Sequence, residues 1–175
     1  MTANPAATVS HPLLDRLSVD ERAIVDAHTR EAPVRLAALA RALGLSVYRS
    51  RLNDQISGKI QAVNFEDASA GFEIRVNKFE NPRRQRFTVA HEISHYLLHR
   101  DRIKTEISDS IMYRSTLSSK LEAEANSLAA ELIMPSTLIK RDIAKYGRPT
   151  SEADLAWFAE RYNVSKEAMR IRLGM

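Results

Sequence analysis

The chain has 175 residues, of which 44% are apolar and 27% charged, enough for one packed core and too apolar for a globally disordered protein. It contains no cysteine, which excludes disulfides, thiolate metal ligands and a cysteine nucleophile; five glycines and no glycine-rich loop count against a nucleotide-binding machine. The net charge of +4 is uneven: from Ser136 onward eight Lys/Arg face five Asp/Glu, while the preceding part is nearly neutral. A basic end suits contact with nucleic acid or an acidic protein, and equally a solvated helical surface. No apolar run approaches the ~18–20 residues that span a bilayer. Met1 to Ser10 lacks the basic and then apolar pattern of a secretory signal, so a cytoplasmic protein with no membrane partner is expected.

In chain order, residues 1–11 read as a mobile start. A first amphipathic helix is expected over residues 19–30, with Ser18 as its cap and Ile24 and Val25 inward. A second is expected over 33–43, with Pro33 in its first turn and Gly44 just past its end. An extended piece follows over 45–49. Residues 58–65 and 72–77 read as strands joined by a turn at 67–71, hence a hairpin. A long helix is expected over 83–99 and another over 119–134, stopped by Pro135, with an irregular segment between them. Three shorter helices, over 137–146, 151–162 and 165–173, complete the chain. The expected organisation is the mobile start, a core over 12–135, and a helical segment over 136–175 packed on it.

The sharpest signal is His91-Glu92-Ile93-Ser94-His95. Residues four apart on a helix lie one above the other, so His91 and His95 can offer two imidazole nitrogens to one metal ion. Glu92 sits about 100° around the helix, beside that pair rather than in line with it. This is the H-E-x-x-H arrangement of zinc peptidases, in which the glutamate is the general base. Shuffled chains of this composition would contain it about 1% of the time. The flanking Phe87, Val89, Ala90, Ile93, Leu97 and Leu98 mark the helix as largely buried, and buried imidazoles and carboxylates need partners.

A catalytic zinc takes three protein ligands and keeps a fourth position open. His99 lies on the same stripe, but three ligands spread over two turns of a straight helix do not converge on one ion; it reads as a neighbour of a ligand or as a helix-end residue. A carboxylate from the following helix is the natural third candidate. Glu122 and Asn126 share one face there, beside the apolar stripe Leu121, Ala125, Leu128 and Leu132, while Glu124 points elsewhere. The alternative for Glu122 is an ordinary exposed carboxylate.

The run from Arg84 through His91-Glu92-Ile93-Ser94-His95 to His99, with Glu122-Ala123-Glu124-Ala125-Asn126 and Leu132-Ile133-Met134-Pro135, resembles the ImmA/IrrE family of metallopeptidases. The resemblance extends upstream through Pro33 to Val47 and the Ser57-Gly58 turn, and downstream to Arg172-Leu173. It implies an α+β fold: a small zincin-like core, with a short antiparallel sheet packed on the H-E-x-x-H helix and a C-terminal helix-turn-helix-like segment. It implies one zinc ion held by His91, His95 and Glu122, with Glu92 as base. It implies an endopeptidase acting on a protein substrate, often a co-encoded helix-turn-helix repressor in phage, mobile-element, stress or toxin–antitoxin-like regulation. Ile133 stands where the family commonly has leucine.

Tyr113 and Arg114, between the two motif helices, are candidates to stabilise the oxyanion, with packing or capping as the alternative. The strand over 72–77 is either an edge that takes substrate as an added strand or an ordinary internal strand. Residues 155–173 read as helix, tight turn, helix, with Asn163 in the turn, Ser165 as cap and Trp157 and Phe158 in its core. Lys166, Arg170 and Arg172 suit either DNA contact or a docking surface. Two function classes follow: an active zinc endopeptidase, either constitutive or latent until a signal arrives, and a DNA- or partner-binding regulator whose metal site is structural.

Overall fold

The computed structural model describes residues 11–64, 70–105 and 116–175. Of the expected mobile start, only His11 falls within them. A single 3-10 turn, Pro12–Arg16, leads into helix α1, Val19–His28. Ser18 opens α1 reciprocally: its hydroxyl accepts from the Glu21 amide, and the Glu21 carboxylate accepts from the Ser18 amide. Helix α2, Leu36–Ala42, starts later than the proline suggested. Val34 is buried, and the Leu36 amide turns back to the Val34 carbonyl (3.1 Å), so a tight apolar turn replaces the first helical turn. Gly44 closes α2 at φ +76°, a conformation that costs a glycine little.

Three strands follow: β1 (Leu45–Ser50), β2 (Gly58–Asn64) and β3 (Ala70–Asn77), in the sheet order β1-β3-β2. β2 and β3 form the expected antiparallel pair, with Ile60 opposite Ile74; most of the expected turn at 67–71 lies outside the described residues. β1 joins parallel to β3, with Val47 opposite Ile74, so the sheet is mixed. The connection over residues 51–57 carries the chain past the end of the sheet and sets β2 down on the far side of β3. β3 is therefore the internal strand. Both of its edges are paired, so it has no free backbone groups to accept a further strand, and of the two alternatives for 72–77 the internal strand is the one observed.

Helix α3, Pro82–Thr105, packs across the sheet. The expected end at His99 is visible as a break: the His99 backbone leaves the helical region (φ −135°, ψ 17°) before a further turn. Helix α4, Thr116–Ile133, lies against α3 through Ala125, Leu128, Ala129 and Leu132, all fully buried. Ile74 and Ile93 meet in the same core with no exposure at all.

Helices α5 (Ser136–Tyr146), α6 (Glu152–Tyr162) and α7 (Lys166–Leu173) complete the described chain. Asn163 takes the left-handed turn (φ 52°, ψ 53°), and the Ser165 hydroxyl caps α7 by accepting from Ala168. Leu138, Leu155, Phe158, Met169 and Leu173 belong to the same hydrophobic cluster as the sheet. Trp157 departs from expectation. It sits one step off the stripe Leu155, Phe158, Ala159 and Tyr162, is 44% exposed, and packs edge-on against Tyr146 at 4.9 Å.

The three basic residues of the last helix are all partnered. Arg170 pairs with Glu152 (2.5 Å), Lys166 approaches the same carboxylate (4.0 Å), and Arg172 bonds Glu131, the Met134 carbonyl and Ser136. Arg172 thereby ties the chain end to the corner between α4 and α5. These pairings offset the charges of Lys166, Arg170 and Arg172 on the last helix.

Candidate metal centre

Along α3, His91 and His95 face Glu122 of α4, and Glu92 is buried toward β2. Glu122 comes from the second turn of α4, which crosses α3 at this level. The structure brings together the three side chains that the sequence singles out. His91 Nε2 lies 3.2 Å from one Glu122 oxygen, His95 Nε2 lies 3.2 Å from the other, and the two Nε2 atoms are 3.0 Å apart. Among the described residues this trio forms the cluster of three potential ligands able to hold a metal. A tetrahedral ion with bonds of about 2.0–2.2 Å spreads its ligand atoms about 3.3–3.5 Å apart, so the triangle fits one such ion with adjustments of a few tenths of an ångström. Two imidazoles and a carboxylate also form a donor set that suits a borderline cation.

The outward nitrogens of both histidines are engaged. His91 Nδ1 donates to Asn126 Oδ1 (2.9 Å). His95 Nδ1 meets His99 Nδ1 at 3.1 Å, His99 Nε2 meets Glu124 at 3.1 Å, and Glu124 is held by Arg16 at 2.8 Å. In each chain, a proton on Nδ1 leaves the Nε2 lone pair facing the trio, the tautomer a ligand needs. Asn126 and Glu124 are partners that sequence reasoning did not assign. The spacing from Glu122 to Asn126 is a usable signal for the first. Glu124 was expected to point elsewhere, and its tie to Arg16 spans more than a hundred residues.

Glu92 is 7% exposed and adjoins the trio. Burial pushes its carboxyl above the usual range, more strongly than the nearby His95 and His91 pull it down, and the Ile60 amide of β2 donates to it. Glu122 behaves oppositely: hydrogen bonds from His91 and His95 hold its carboxyl well below the usual range. Burial alone would lower His91, but its bond to Glu122 and the charges of Glu92 and Glu122 raise it. His99 is lowered, chiefly by burial. Two neighbouring carboxyls are thus pushed apart, one toward holding a proton and one toward permanent charge.

Gly58, at the start of β2, is a further element of the site. A Cβ there would lie 2.3 Å from Thr88 Cγ2, 3.1 Å from the Arg75 carbonyl and 3.5 Å from Glu92 Oε1. The missing side chain lets β2 lie directly on α3 and bring the Ile60 amide to Glu92. The trio opens into a cleft of about 440 Å3 whose walls include Ile56, Arg84 and Phe87. A larger cavity, about 540 Å3, lies between α1 and α5 but shows no comparable convergence of donors; its buried carboxylate, Glu131, is held by Ser136 and Arg172. Tyr113 and Arg114 lie outside the described residues.

Comparison with known proteins agrees with this geometry. The sequence profile of the IrrE N-terminal-like domain matches residues 40–174. The chain belongs to this metallopeptidase family. As an IrrE-like chain, it is 41% identical over 93 residues to the radiation response metalloprotease IrrE of Deinococcus deserti; the match covers 53% of this chain and 32% of that protein. It is 39% identical over 93 residues to the protein of the same name from Deinococcus radiodurans, covering 53% of this chain and 27% of the relative. The matched part is thus about a third of the length of these relatives. A Mycobacterium tuberculosis transcriptional regulator has the same fold over 93% of this chain and 47% of its own, with a TM-score of 0.57 at 20% identity. The family model carries a peptidase name and both relatives are named metalloproteases. No helix among the described residues is long and apolar enough to cross a membrane.

Proposed function

We propose that this chain is an active zinc endopeptidase that cuts an extended, accessible segment of a regulatory protein, a helix-turn-helix transcriptional repressor. The observation that carries the reading is the pairing of a tight His91, His95, Glu122 trio with a buried Glu92 directly beside it. A purely structural metal site has no use for a fourth, non-ligating carboxyl brought into contact at the cost of burial.

His91, His95 and Glu122 would hold the ion. When bound, zinc supplies Lewis acidity, which polarises the scissile carbonyl and acidifies water. Glu92 takes the proton of the attacking water and returns it to the departing amine. Its position directly beside the trio suits both halves of that task. Asn126 and the His99–Glu124–Arg16 chain keep the two imidazoles in the ligating tautomer through the cycle. Tyr113 or Arg114 is our proposed donor to the oxyanion.

With β3 internal, β1 and β2 are the edge strands, and β2 is the one beside Glu92. Its outer edge is unpaired among the described residues, and the Ile60 amide marks its approach to Glu92. An extended peptide laid along that edge would pair through its backbone and pass its scissile bond over the trio. The substrate segment must therefore be unfolded locally before it is cut.

The test uses Glu92→Gln with the repressor encoded beside this gene as substrate. The variant should retain zinc and fold and lose cleavage. The competing reading, a partner- or DNA-binding regulator with a structural metal, requires Glu92→Gln to behave as wild type. Undiminished cleavage by the variant rejects the mechanism.

A further inference from the structure

On the side of α3 turned away from the trio, Pro82, Gln85, Arg86 and Val89 form one helical face that borders a separate cavity of about 480 Å3. Arg86 is the unusual member. Its Nε and Nη2 are buried and have no hydrogen-bond partner. Buried guanidinium nitrogens without an acceptor are rare in folded proteins, and each such group calls for an explanation. Burial also pulls the Arg86 pKa below its ordinary value, a sign that nothing nearby compensates the charge.

Two more cations border the same space. Arg35 stands just before α2 and Arg49 on β1, both exposed, and neither takes part in an ion pair among the described residues. Among the described residues no Asp or Glu lines the cavity. Leu36, Val47 and Val76 give it an apolar wall. Arg30, Arg41 and Arg51 also lack a carboxylate partner among the described residues, but they are exposed; Arg86 differs in having guanidinium nitrogens that are buried.

We infer that this cavity binds a small organic phosphate, its dianion on Arg86, Arg49 and Arg35 and its apolar body against Leu36, Val47 and Val76. A phosphate monoester carries close to two charges and three terminal oxygens, enough to engage three planar guanidinium forks at once. A carboxylate offers two oxygens and one charge, and leaves one cation unmatched. The recess is within the ~300–1,000 Å3 range of small-molecule pockets. Its innermost cation is sunk between the helix and the sheet, where the backbone of a nucleic-acid duplex does not reach. The inference stands apart from the protease reading, since none of its residues belongs to the metal centre.

The test is calorimetric titration of the full chain, metal bound, with phenyl phosphate, using benzoate and inorganic phosphate as comparison probes. Phenyl phosphate should bind saturably at one site and at least tenfold more tightly than either comparison probe. The double variant Arg35→Gln/Arg49→Gln, both exposed positions, should weaken it at least tenfold without changing the thermal midpoint, and Arg86→Met should weaken it further. If Arg86→Met does not fold, the double variant decides alone. Absence of saturable binding, benzoate binding as tightly as phenyl phosphate, or full affinity in the double variant overturns the inference. The last outcome would place any bound phosphate elsewhere, the metal centre included.

Discussion

His95 and His99, one helical turn apart on α3, meet Nδ1 to Nδ1 at 3.1 Å, in line with a further contact from His99 to Glu124. Two imidazoles can share such a bond in only one sense that suits a metal ligand: His95 gives its Nδ1 proton and His99 passes its own Nε2 proton to the carboxylate. The break in α3 at His99 accompanies this contact. His99→Phe should therefore lower metal affinity by about 10- to 100-fold while leaving the fold intact. Glu124→Gln should fall in the same direction with a smaller loss. Competition titration against a zinc chelator measures both, and wild-type affinity in His99→Phe contradicts the role given to the relay.

Gly58 sets how closely β2 approaches α3. Gly58→Ala puts a methyl group 2.3 Å from Thr88 Cγ2, and the resulting overpacking should cost about 1–3 kcal/mol. Thr88→Ser removes that methyl but keeps the hydroxyl bond to the Arg84 carbonyl. The double variant should then recover part of the loss, a coupling that denaturant unfolding of all four chains reads directly. Strict additivity would show that the clash is relieved elsewhere.

Asp142 on α5 is 1% exposed and accepts from Arg161 (2.5 and 3.1 Å) and from the Tyr162 hydroxyl (2.7 Å). Burial would raise its pKa, but these bonds and the Arg161 charge hold it below the ordinary value. A carboxyl depressed in the folded state adds stability above its unfolded value, about 3.9, and loses it as pH falls through the folded value. Asp142→Asn should thus be clearly destabilised at pH 7, by about 3 kcal/mol, because Arg161 loses its counter-charge. The gap to wild type should shrink below about pH 4. Urea unfolding at pH 7 and pH 3 tests both; a gap that is constant with pH would mean the carboxyl carries no native-state shift.

Arg172 reaches from α7 to Glu131, which is 5% exposed, and to the Met134 carbonyl (2.7 Å). Arg172→Met leaves Glu131 buried with only Ser136 to hold it, and should cost about 3 kcal/mol. Binding to duplex DNA, if any occurs, should not depend on this residue. Thermal unfolding together with a DNA mobility assay separates the two roles: unchanged stability with lost DNA binding would restore the helix-turn-helix reading of the last helices.

What the sequence made legible was local. The two histidines four apart, Glu92 between them, Ser18 and Ser165 as caps, and Gly44 and Asn163 as left-handed turns all act within one or two helical turns of themselves. Glu122 was reachable because it shares a face with Asn126 beside an apolar stripe. The sheet order was not legible, because nothing in residues 45–50 distinguishes a partner on one side of β3 from the other. For the same reason residues 72–77 stayed open between an edge and an internal strand. The Glu124–Arg16 pair and the isolated cations around Arg86 depend on groups far apart in the chain, and no spacing rule connects them. Trp157 misled because an aromatic beside Phe158 reads as core, whereas the helix turns it one step outward.

The most direct test of the central claim is zinc-edge X-ray absorption on the purified protein, with metal content measured on the same sample. The account predicts one zinc per chain with two imidazole nitrogens and carboxylate oxygen at about 2.0–2.2 Å, and loss of the carboxylate contribution in Glu122→Ala. A chain purified without chelators that holds no zinc, or a first coordination shell unchanged by Glu122→Ala, would contradict it.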